Sequence, residues 1–219
     1  MPSNKIIISE LFDSIQGEGP MCGRPATFLR LAGCNLRCEW CDTKYAFSGE
    51  SILISDLVEK LKQTNLARTR YLVITGGEPL IQTDALSSLL IRLPMGIQIG
   101  VETNGTIYWD PPVDANLHFV VSPKLSNSGT NGKDLFDPHW ARTFATFKFV
   151  VASPEDIEEV LDFCARYRIS KQRSWFMPKG STRQEYQNSL SAIWDYCSQN
   201  SLRISPRLHI EAFDAKRGV

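Results

Sequence analysis

The chain has 219 residues, 42% of them hydrophobic, and its 24 basic and 24 acidic side chains give a formal net charge of zero. This length and apolar content predict one domain with a substantial core, and the balanced charge argues against nucleic acid or an anionic membrane surface as a partner. No stretch approaches the roughly 18 apolar residues of a membrane span and the N-terminus lacks a signal-peptide pattern, so we expect a cytoplasmic protein with a small-molecule substrate.

The N-terminal region is predicted to hold two strands separated by a turn. The first strand covers residues 5–12 and runs into the segment Ser14-Ile15-Gln16-Gly17-Glu18-Gly19-Pro20. The glycines can supply positive φ and the proline stops a strand, so the segment alone is typical of a turn. The second strand, residues 28–33, contains one charged residue, Arg30. A planar guanidinium there suits either a solvated strand edge or bidentate binding of a carboxylate.

A cysteine loop follows, with Cys34, Cys38 and Cys41 inside eight residues at a C-x3-C-x2-C spacing. Structural zinc usually takes four ligands as two separated pairs, and a [4Fe-4S] cluster prefers four thiolates, so either centre would have one coordination position left over. One interpretation is a zinc knuckle with a distant fourth ligand, which could be Cys22, His118, His139 or His209. The other interpretation is an iron–sulfur cluster whose open iron binds something else.

Helices and strands alternate through the rest of the chain. In order, the pattern predicts a helix over 51–65, a strand over 70–75, a helix over 84–93 with Asp84 as its cap, strands over 97–102, 117–121 and 144–151, a helix over 155–167, a strand over 174–177 and a helix over 182–199. The last helix has a predicted apolar face of Tyr186, Leu190, Ile193, Trp194 and Cys197. Cys164 and Cys197 are isolated and fall on apolar helical positions, so we interpret them as core thiols.

Several predicted strands end in glycine or polar residues, as in Gly76-Gly77-Glu78-Pro79, Thr103-Asn104-Gly105, Ser122-Pro123-Lys124 and Pro178-Lys179-Gly180. Because parallel α/β folds place their active sites at the carboxyl ends of strands, these tips are expected to converge on one site. Residues 125–138 are rich in Ser, Asn, Gly and Asp and predict a mobile loop beside it. The tail over 203–213 has strand character, and its His209 is a weak candidate because a packing histidine is at least as common.

About six strands interleaved with helices call for right-handed parallel crossovers, and 219 residues are fewer than the roughly 250 of a complete eight-stranded barrel. We therefore predict an α/β fold, a partial, open (β/α)6-type barrel with mainly parallel strands and a wide lateral mouth. Residues 1–219 are expected to form a single domain with an N-terminal strand and turn extension (1–27) and a C-terminal tail (203–219).

The cysteine loop with Asp42 and Thr43 after it resembles that of the radical S-adenosylmethionine enzymes. Together with the upstream S-I-Q-G-E-G segment, it closely resembles the 7-carboxy-7-deazaguanine synthase family of that superfamily, and the resemblance covers nearly the whole chain. It implies a [4Fe-4S] cluster on Cys34, Cys38 and Cys41, and Mg2+ at Thr43. It assigns S-adenosylmethionine binding to Trp40, Asp42, Gly77, Glu78, Ser122, Pro123, Lys124, Met177 and Pro178. It assigns substrate binding to Ile15, Gln16, Gly17, Glu18, Arg30 and Thr75.

The chain departs from the family pattern at two places. Members commonly carry a glutamine where this chain has Met177, a change that backbone contacts to the cofactor would tolerate. Some members end a few residues after a histidine equivalent to His209, with the chain terminus at the substrate. Ten residues follow His209 here, so no terminal-carboxylate role is expected of Val219.

The resemblance also implies a reaction. An external electron, from a flavodoxin or ferredoxin-type donor, would lead to cleavage of S-adenosylmethionine, and the resulting radical would remove the C6 hydrogen of 6-carboxy-5,6,7,8-tetrahydropterin. Ring contraction with loss of ammonia would give 7-carboxy-7-deazaguanine, a precursor of queuosine or another 7-deazapurine, in a homodimeric lyase. Two alternatives stay open: an activase that makes a glycyl radical on a partner protein, against which the S-I-Q-G-E-G segment argues, and a non-catalytic iron–sulfur or zinc-binding module.

Overall fold

The computed structural model describes residues 3–111 and 116–219. Within them, nine strands form one sheet: β1 (Lys5–Ile15), β2 (Pro25–Leu31), β3 (Glu50–Leu53), β4 (Tyr71–Gly76), β5 (Gln98–Thr103), β6 (Leu117–Val121), β7 (Thr146–Val151), β8 (Ser174–Pro178) and β9 (Arg203–Ile204). Their order is β3-β1-β2-β4-β5-β6-β7-β8-β9, so β3 and β9 are the two edges of an open sheet. All pairs from β2 to β9 are parallel, whereas β1 pairs antiparallel with both β2 and β3.

The helices are α1 (Ile54–Lys62), α2 (Leu66–Thr69), α3 (Thr83–Leu90), α4 (Pro154–Tyr167), α5 (Arg183–Gln199) and α6 (Leu208–Phe213). The two longest begin with side-chain caps. The Ser153 hydroxyl accepts from the Asp156 backbone N–H, and Thr182 forms a reciprocal capping box with Glu185. These caps satisfy backbone donors that a helix start would otherwise leave unpaired.

Helices connect β2 to β4, β4 to β5, β7 to β8 and β8 to β9. In the described residues, no α-helix lies between β5 and β6 or between β6 and β7, and the second connection contains only the short 3-10 turns Ser126–Ser128 and Pro138–Arg142. Six longer parallel strands, β2 and β4 to β8, therefore make up the partial barrel. The predicted open (β/α)6-type fold with mainly parallel strands is confirmed.

Three local predictions were wrong. Residues 51–53, which were predicted as helix, belong to β3 and pair with β1 at the sheet edge. Asp84 does not cap α3, because that helix begins one residue earlier at Thr83. The tail contains only the two-residue strand β9, and residues 208–213 form α6 instead of a strand.

The barrel strands and the inner faces of α1, α3, α4 and α5 share one hydrophobic core. Strand β4 is buried along residues 71–75, as expected for a strand covered on both faces. Cys164 and Cys197 are buried thiols, as predicted, whereas Trp194 was misassigned to the core and is 57% exposed. Among the described residues, no helix is long and apolar enough to cross a membrane.

Candidate active site

A cavity of about 240 Å³ opens at the carboxyl ends of the parallel strands. Most of the predicted site residues line it: Ile15, Gln16, Gly17, Glu18, Arg30, Cys34, Cys38, Trp40, Cys41, Asp42, Thr43, Thr75, Gly77, Ser122, Lys124 and Met177. Three predicted residues are not among those that line it, namely Glu78, Pro123 and Pro178. The strand order explains the convergence, since the ends of neighbouring parallel strands lie at one edge of the sheet.

The Glu78 side chain fixes the turn after β4 to the end of β5. It is 0% exposed, and its carboxylate accepts from the Leu80 N–H at 3.0 Å, the Thr103 hydroxyl at 2.7 Å and the Asn104 N–H at 2.6 Å. Burial raises the pKa of this carboxyl, against the effect of its hydrogen bonds. Glu78 thereby positions the backbone of Gly77, which does line the cavity.

The turn after β4 also packs directly against the cysteine loop. The Glu78 N–H donates to the Gly33 carbonyl oxygen at 2.8 Å. A Cβ on Gly77 would overlap that oxygen and lie 2.8 Å from the Cys34 Cβ. Glycine is therefore required here by the close approach of two backbones.

The loop after β6 holds the cysteine loop from the other side. The Glu39 N–H donates to the Ser128 carbonyl at 3.0 Å, and the Trp40 indole N–H donates to the Asn127 carbonyl at 2.7 Å. The Lys124 ammonium lies 5.5 Å from the centre of the Trp40 ring, and burial lowers its pKa. The prediction that residues 125–138 lie near the site is consistent with these contacts.

The three loop thiols are free, half-buried and exposed to the same cavity. Burial raises the pKa of the Cys34 and Cys38 thiols. Among the described residues, no three Cys, His, Asp or Glu side chains are arranged to hold one metal ion. A zinc ion with Zn–S bonds of about 2.3 Å would need its thiolates within about 4 Å of one another. A [4Fe-4S] cluster instead takes each thiolate on a different iron atom, so three thiols that line one cavity can hold it without meeting at a single metal ion.

The distant ligands of the zinc interpretation are not placed to complete that set. Cys22, His118 and His139 are not among the residues that line the cavity. His209 does line it, but its Nε2 faces Glu18 Oε1 at 3.7 Å rather than the thiols.

Glu18 lies in a buried ion network. Its Oε2 accepts from the Lys148 ammonium at 2.5 Å and its Oε1 from Arg207 Nε at 2.9 Å. Burial by itself would raise the pKa of the Glu18 carboxyl, but Lys148 and Arg207 outweigh burial and hold that pKa well below its usual range. Burial also lowers the pKa of His209, so this imidazole is neutral at pH 7.

Gln16, Thr75 and Glu102 form a second polar group on the cavity wall. The Gln16 amide donates to Glu102 Oε1 at 3.1 Å, and the Thr75 hydroxyl donates to Glu102 Oε2 at 3.0 Å. The Lys148 ammonium lies 3.8 Å from Glu102 Oε1 and so joins this group to Glu18. The wall therefore presents carboxylate acceptors beside amide and hydroxyl groups, a pattern that suits a ligand with several N–H donors.

Arg30 approaches the cavity from β2 and is oriented by its neighbour on β1. Its Nε donates to Glu10 Oε2 at 2.8 Å. Arg217 contacts the other oxygen of Glu10 at 3.1 Å, and its guanidinium lies 3.4 Å from the centre of the Tyr45 ring. Since Glu10 occupies only the Nε of Arg30, the two terminal nitrogens remain suited to a ligand carboxylate.

Two further residues are placed at the cavity. The Thr43 hydroxyl lines it and donates to Asp42 Oδ1 at 2.6 Å, which leaves its oxygen lone pairs as acceptors. Val219, for which no role at the substrate was expected, also lines the cavity, because the chain turns back toward the site after α6.

Sequence reasoning missed Glu102, Lys148 and Arg207. Lys148 is a lone charge inside the apolar run of β7, the same signal that singled out Arg30, and could have been found that way. Glu102 directly precedes the Thr103-Asn104-Gly105 tip. No sequence signal marks Arg207, because its partners come from distant parts of the chain.

Comparisons with known proteins show what this chain is similar to. A family model described as the radical SAM superfamily matches residues 29–117. The 7-carboxy-7-deazaguanine synthase of Pyrobaculum aerophilum is 40% identical over 98% of this chain and 97% of its own. The enzyme of the same name from Hyperthermus butylicus is 38% identical over 93% of this chain and 91% of its own. The crystal structure of QueE from Escherichia coli matches with a TM-score of 0.62 and 26% identity, covering 92% and 93% of the two chains.

Proposed function

This chain belongs to the 7-carboxy-7-deazaguanine synthase family, and from that premise we propose that it converts 6-carboxy-5,6,7,8-tetrahydropterin into 7-carboxy-7-deazaguanine with loss of ammonia. The observation that carries the proposal is that the three cysteine thiols and the polar side chains of Gln16, Glu18 and Glu102 line one and the same cavity. A cofactor held at the thiols would thus lie next to a bound heterocycle.

Family membership implies a [4Fe-4S] cluster and S-adenosylmethionine as cofactors. Cys34, Cys38 and Cys41 would hold the cluster. Bound there, the two cofactors supply the radical chemistry that starts the reaction. The cofactor contacts fall to the residues near the cysteine loop: Trp40, Asp42, Gly77, Ser122, Lys124 and Met177 line the cavity, and Glu78, Pro123 and Pro178 each directly follow one of these residues in the chain.

The substrate would lie against the wall formed by Ile15, Gln16, Gly17, Glu18 and Thr75. The ionised Glu18 carboxylate and Glu102 accept hydrogen bonds from N–H groups of the pterin. Arg30 donates hydrogen bonds from its terminal nitrogens to the substrate carboxylate. Such a wall selects its ligand strongly, because a ring without matching donors leaves buried acceptors unpaired. The same side chains exclude water from the reacting carbon.

Further parts of the proposal concern ions, partners and location. Thr43 would contribute an oxygen ligand to Mg2+, a hard cation that also takes oxygens from its substrate. A flavodoxin or ferredoxin-type protein would donate the electron, and the chain would act as a cytoplasmic homodimer. Its product would feed the biosynthesis of queuosine or another 7-deazapurine.

The test is anaerobic reconstitution followed by incubation with S-adenosylmethionine, Mg2+, a reductant and the carboxypterin, with the product identified by mass. The mass of 7-carboxy-7-deazaguanine, formed without any partner enzyme, supports the proposal and rules out the glycyl-radical activase. A colourless protein with one zinc per chain would instead support the non-catalytic module.

Arg30→Lys keeps the positive charge but loses the planar fork, so the pterin dissociation constant should rise by about tenfold or more. The iron content should not change, because Arg30 does not contact the cysteine loop. Arg68→Lys is the matched control, since Arg68 is exposed and, among the described residues, its side chain hydrogen-bonds only to Asn65. Unchanged pterin affinity in Arg30→Lys would refute the role given to Arg30.

A further inference from the structure

The segment Ser205–His209 is fixed to the turn that carries Glu18. The Gly19 N–H donates to the Ser205 hydroxyl at 2.8 Å, and the Leu208 N–H donates to the Gly17 carbonyl at 3.0 Å. A Cβ on Gly17 would lie 2.5 Å from His209 Nδ1, so the two segments are in direct contact. Their backbones are therefore held together independently of the Arg207 side chain.

From this fixed segment, Arg207 reaches three different parts of the chain. Its side chain is 6% exposed. Its Nε donates to Glu18 Oε1 at 2.9 Å, and its terminal nitrogens donate to Asp42 Oδ2 and to the Gly180 carbonyl. A guanidinium can serve three such partners at once because its N–H groups form a rigid planar fork, which an ammonium lacks.

The two carboxylates that Arg207 joins belong to the two halves of the cavity. Glu18 lies on the wall proposed for the pterin, where Lys148 holds its other oxygen. Asp42 directly follows Cys41, and its other oxygen accepts from Thr43. Without the guanidinium between them, the buried Glu18 carboxylate and the partly exposed Asp42 carboxylate would repel each other.

We propose that Arg207 is a positioning residue that couples the pterin half of the cavity to the cofactor half. This role rests on the proposed function. A ligand that fixes Glu18 also fixes the guanidinium, and through it Asp42 and the end of the cysteine loop. The two ligands therefore strengthen each other's binding, and the effect is reciprocal because it is a coupling free energy.

The experiment measures the pterin dissociation constant of the reconstituted protein, anaerobically, with and without S-adenosylmethionine. The ratio of the two constants is the coupling. We expect S-adenosylmethionine to tighten pterin binding by about fivefold or more in the unaltered protein. In Arg207→Lys, which keeps the charge but cannot span both carboxylates, the ratio should fall close to one while the iron content stays the same.

Arg203→Lys is the matched control, because Arg203 lies two residues before this segment, is exposed and, in the part of the chain that the structure describes, donates a side-chain hydrogen bond only to the Gln172 carbonyl. It should keep the full ratio. Asp42→Asn weakens the same contact from its other end and, at S-adenosylmethionine concentrations shown to saturate the variant, should also lower the ratio, so the role can be tested even if one variant folds poorly.

If the ratio persists in both Arg207→Lys and Asp42→Asn, the coupling role is overturned. This holds even if the pterin affinities with and without S-adenosylmethionine fall together with the melting temperature, as a purely structural role would predict. An unaltered protein that binds pterin with a ratio of one also overturns it, while leaving the proposed function intact. An unaltered protein that does not bind pterin at all refutes the proposed function and this role with it.

Discussion

Replacing Lys148 by Met should destabilise the folded protein by about 3 kcal/mol. Lys148 and Glu18 side chains are 6% and 13% exposed, so solvent screens their pair very little. Removing one partner of a buried ion pair costs about 3–5 kcal/mol, because the other charge stays buried. The lower end applies here, since Arg207 still contacts Glu18 in the variant.

The assay is urea unfolding of the cluster-free protein in the presence of a thiol reductant, with circular dichroism as the readout. For a chain of this size, the loss should correspond to a melting temperature lower by about 6–12 °C. Lys62→Met is the matched control: Lys62 pairs with Glu59, but their side chains are 60% and 65% exposed. Exposed helical pairs contribute about 0.3–0.5 kcal/mol. If Lys148→Met and Lys62→Met lost the same amount of folding stability, the reasoning would be refuted.

Acidification should reduce the difference in the free energy of unfolding between Lys148→Met and the unaltered protein. Burial opposes ionisation of Glu18, but Lys148 and Arg207 together lower the pKa of its carboxyl below 4.5 in the folded state. A carboxyl whose pKa is lower in the folded state stabilises the fold at every pH above its unfolded-state pKa. This stabilisation is lost as the pH falls through its folded-state pKa. The difference should therefore be constant from pH 6 to 8 and decline below about pH 4.5. A difference that grows on acidification would contradict this assignment.

Cys38→Ser should lose most of the iron taken up in reconstitution, whereas Cys164→Ser should keep it, because Cys164 is a core thiol; iron per chain is the measurement. Gly77→Ala should also lower iron uptake, since the added Cβ would overlap the Gly33 carbonyl and displace Cys34; normal uptake would show that the loop can shift. Thr43→Ala should raise the Mg2+ concentration needed for half-maximal activity by about tenfold, the cost of one lost oxygen ligand; an unchanged Mg2+ requirement would remove Thr43 from the ion's shell.

The fold could largely be predicted because its signals are local. The apolar run after Arg70 became β4, and the strand predicted over 117–121 has the observed bounds. The errors fell where tertiary pairing overrides local preference. Residues 51–53 continue the spacing of α1, yet they form a strand because β1 offers them an unpaired edge.

The candidate site could be predicted as far as its residues cluster in sequence. The cysteine loop and the Gln16–Glu18 turn are compact motifs, and the structure brings both to one cavity. Lys148 and Arg207 could not be assigned partners, because they lie 130 and 189 residues from Glu18 along the chain. The partners in such a charge network can be assigned only once the fold is known, because the fold brings distant parts of the chain together.

The contacts of Trp40 and Glu39 with the loop after β6 set an order of events during synthesis. The cysteines leave the ribosome early, but the Asn127 carbonyl that holds Trp40 follows 87 residues later. At about 5–20 residues per second, the delay is about 4–17 s. During that interval the cysteine loop lacks these two contacts, so we expect it to reach its final conformation only after the loop that follows β6 has been made.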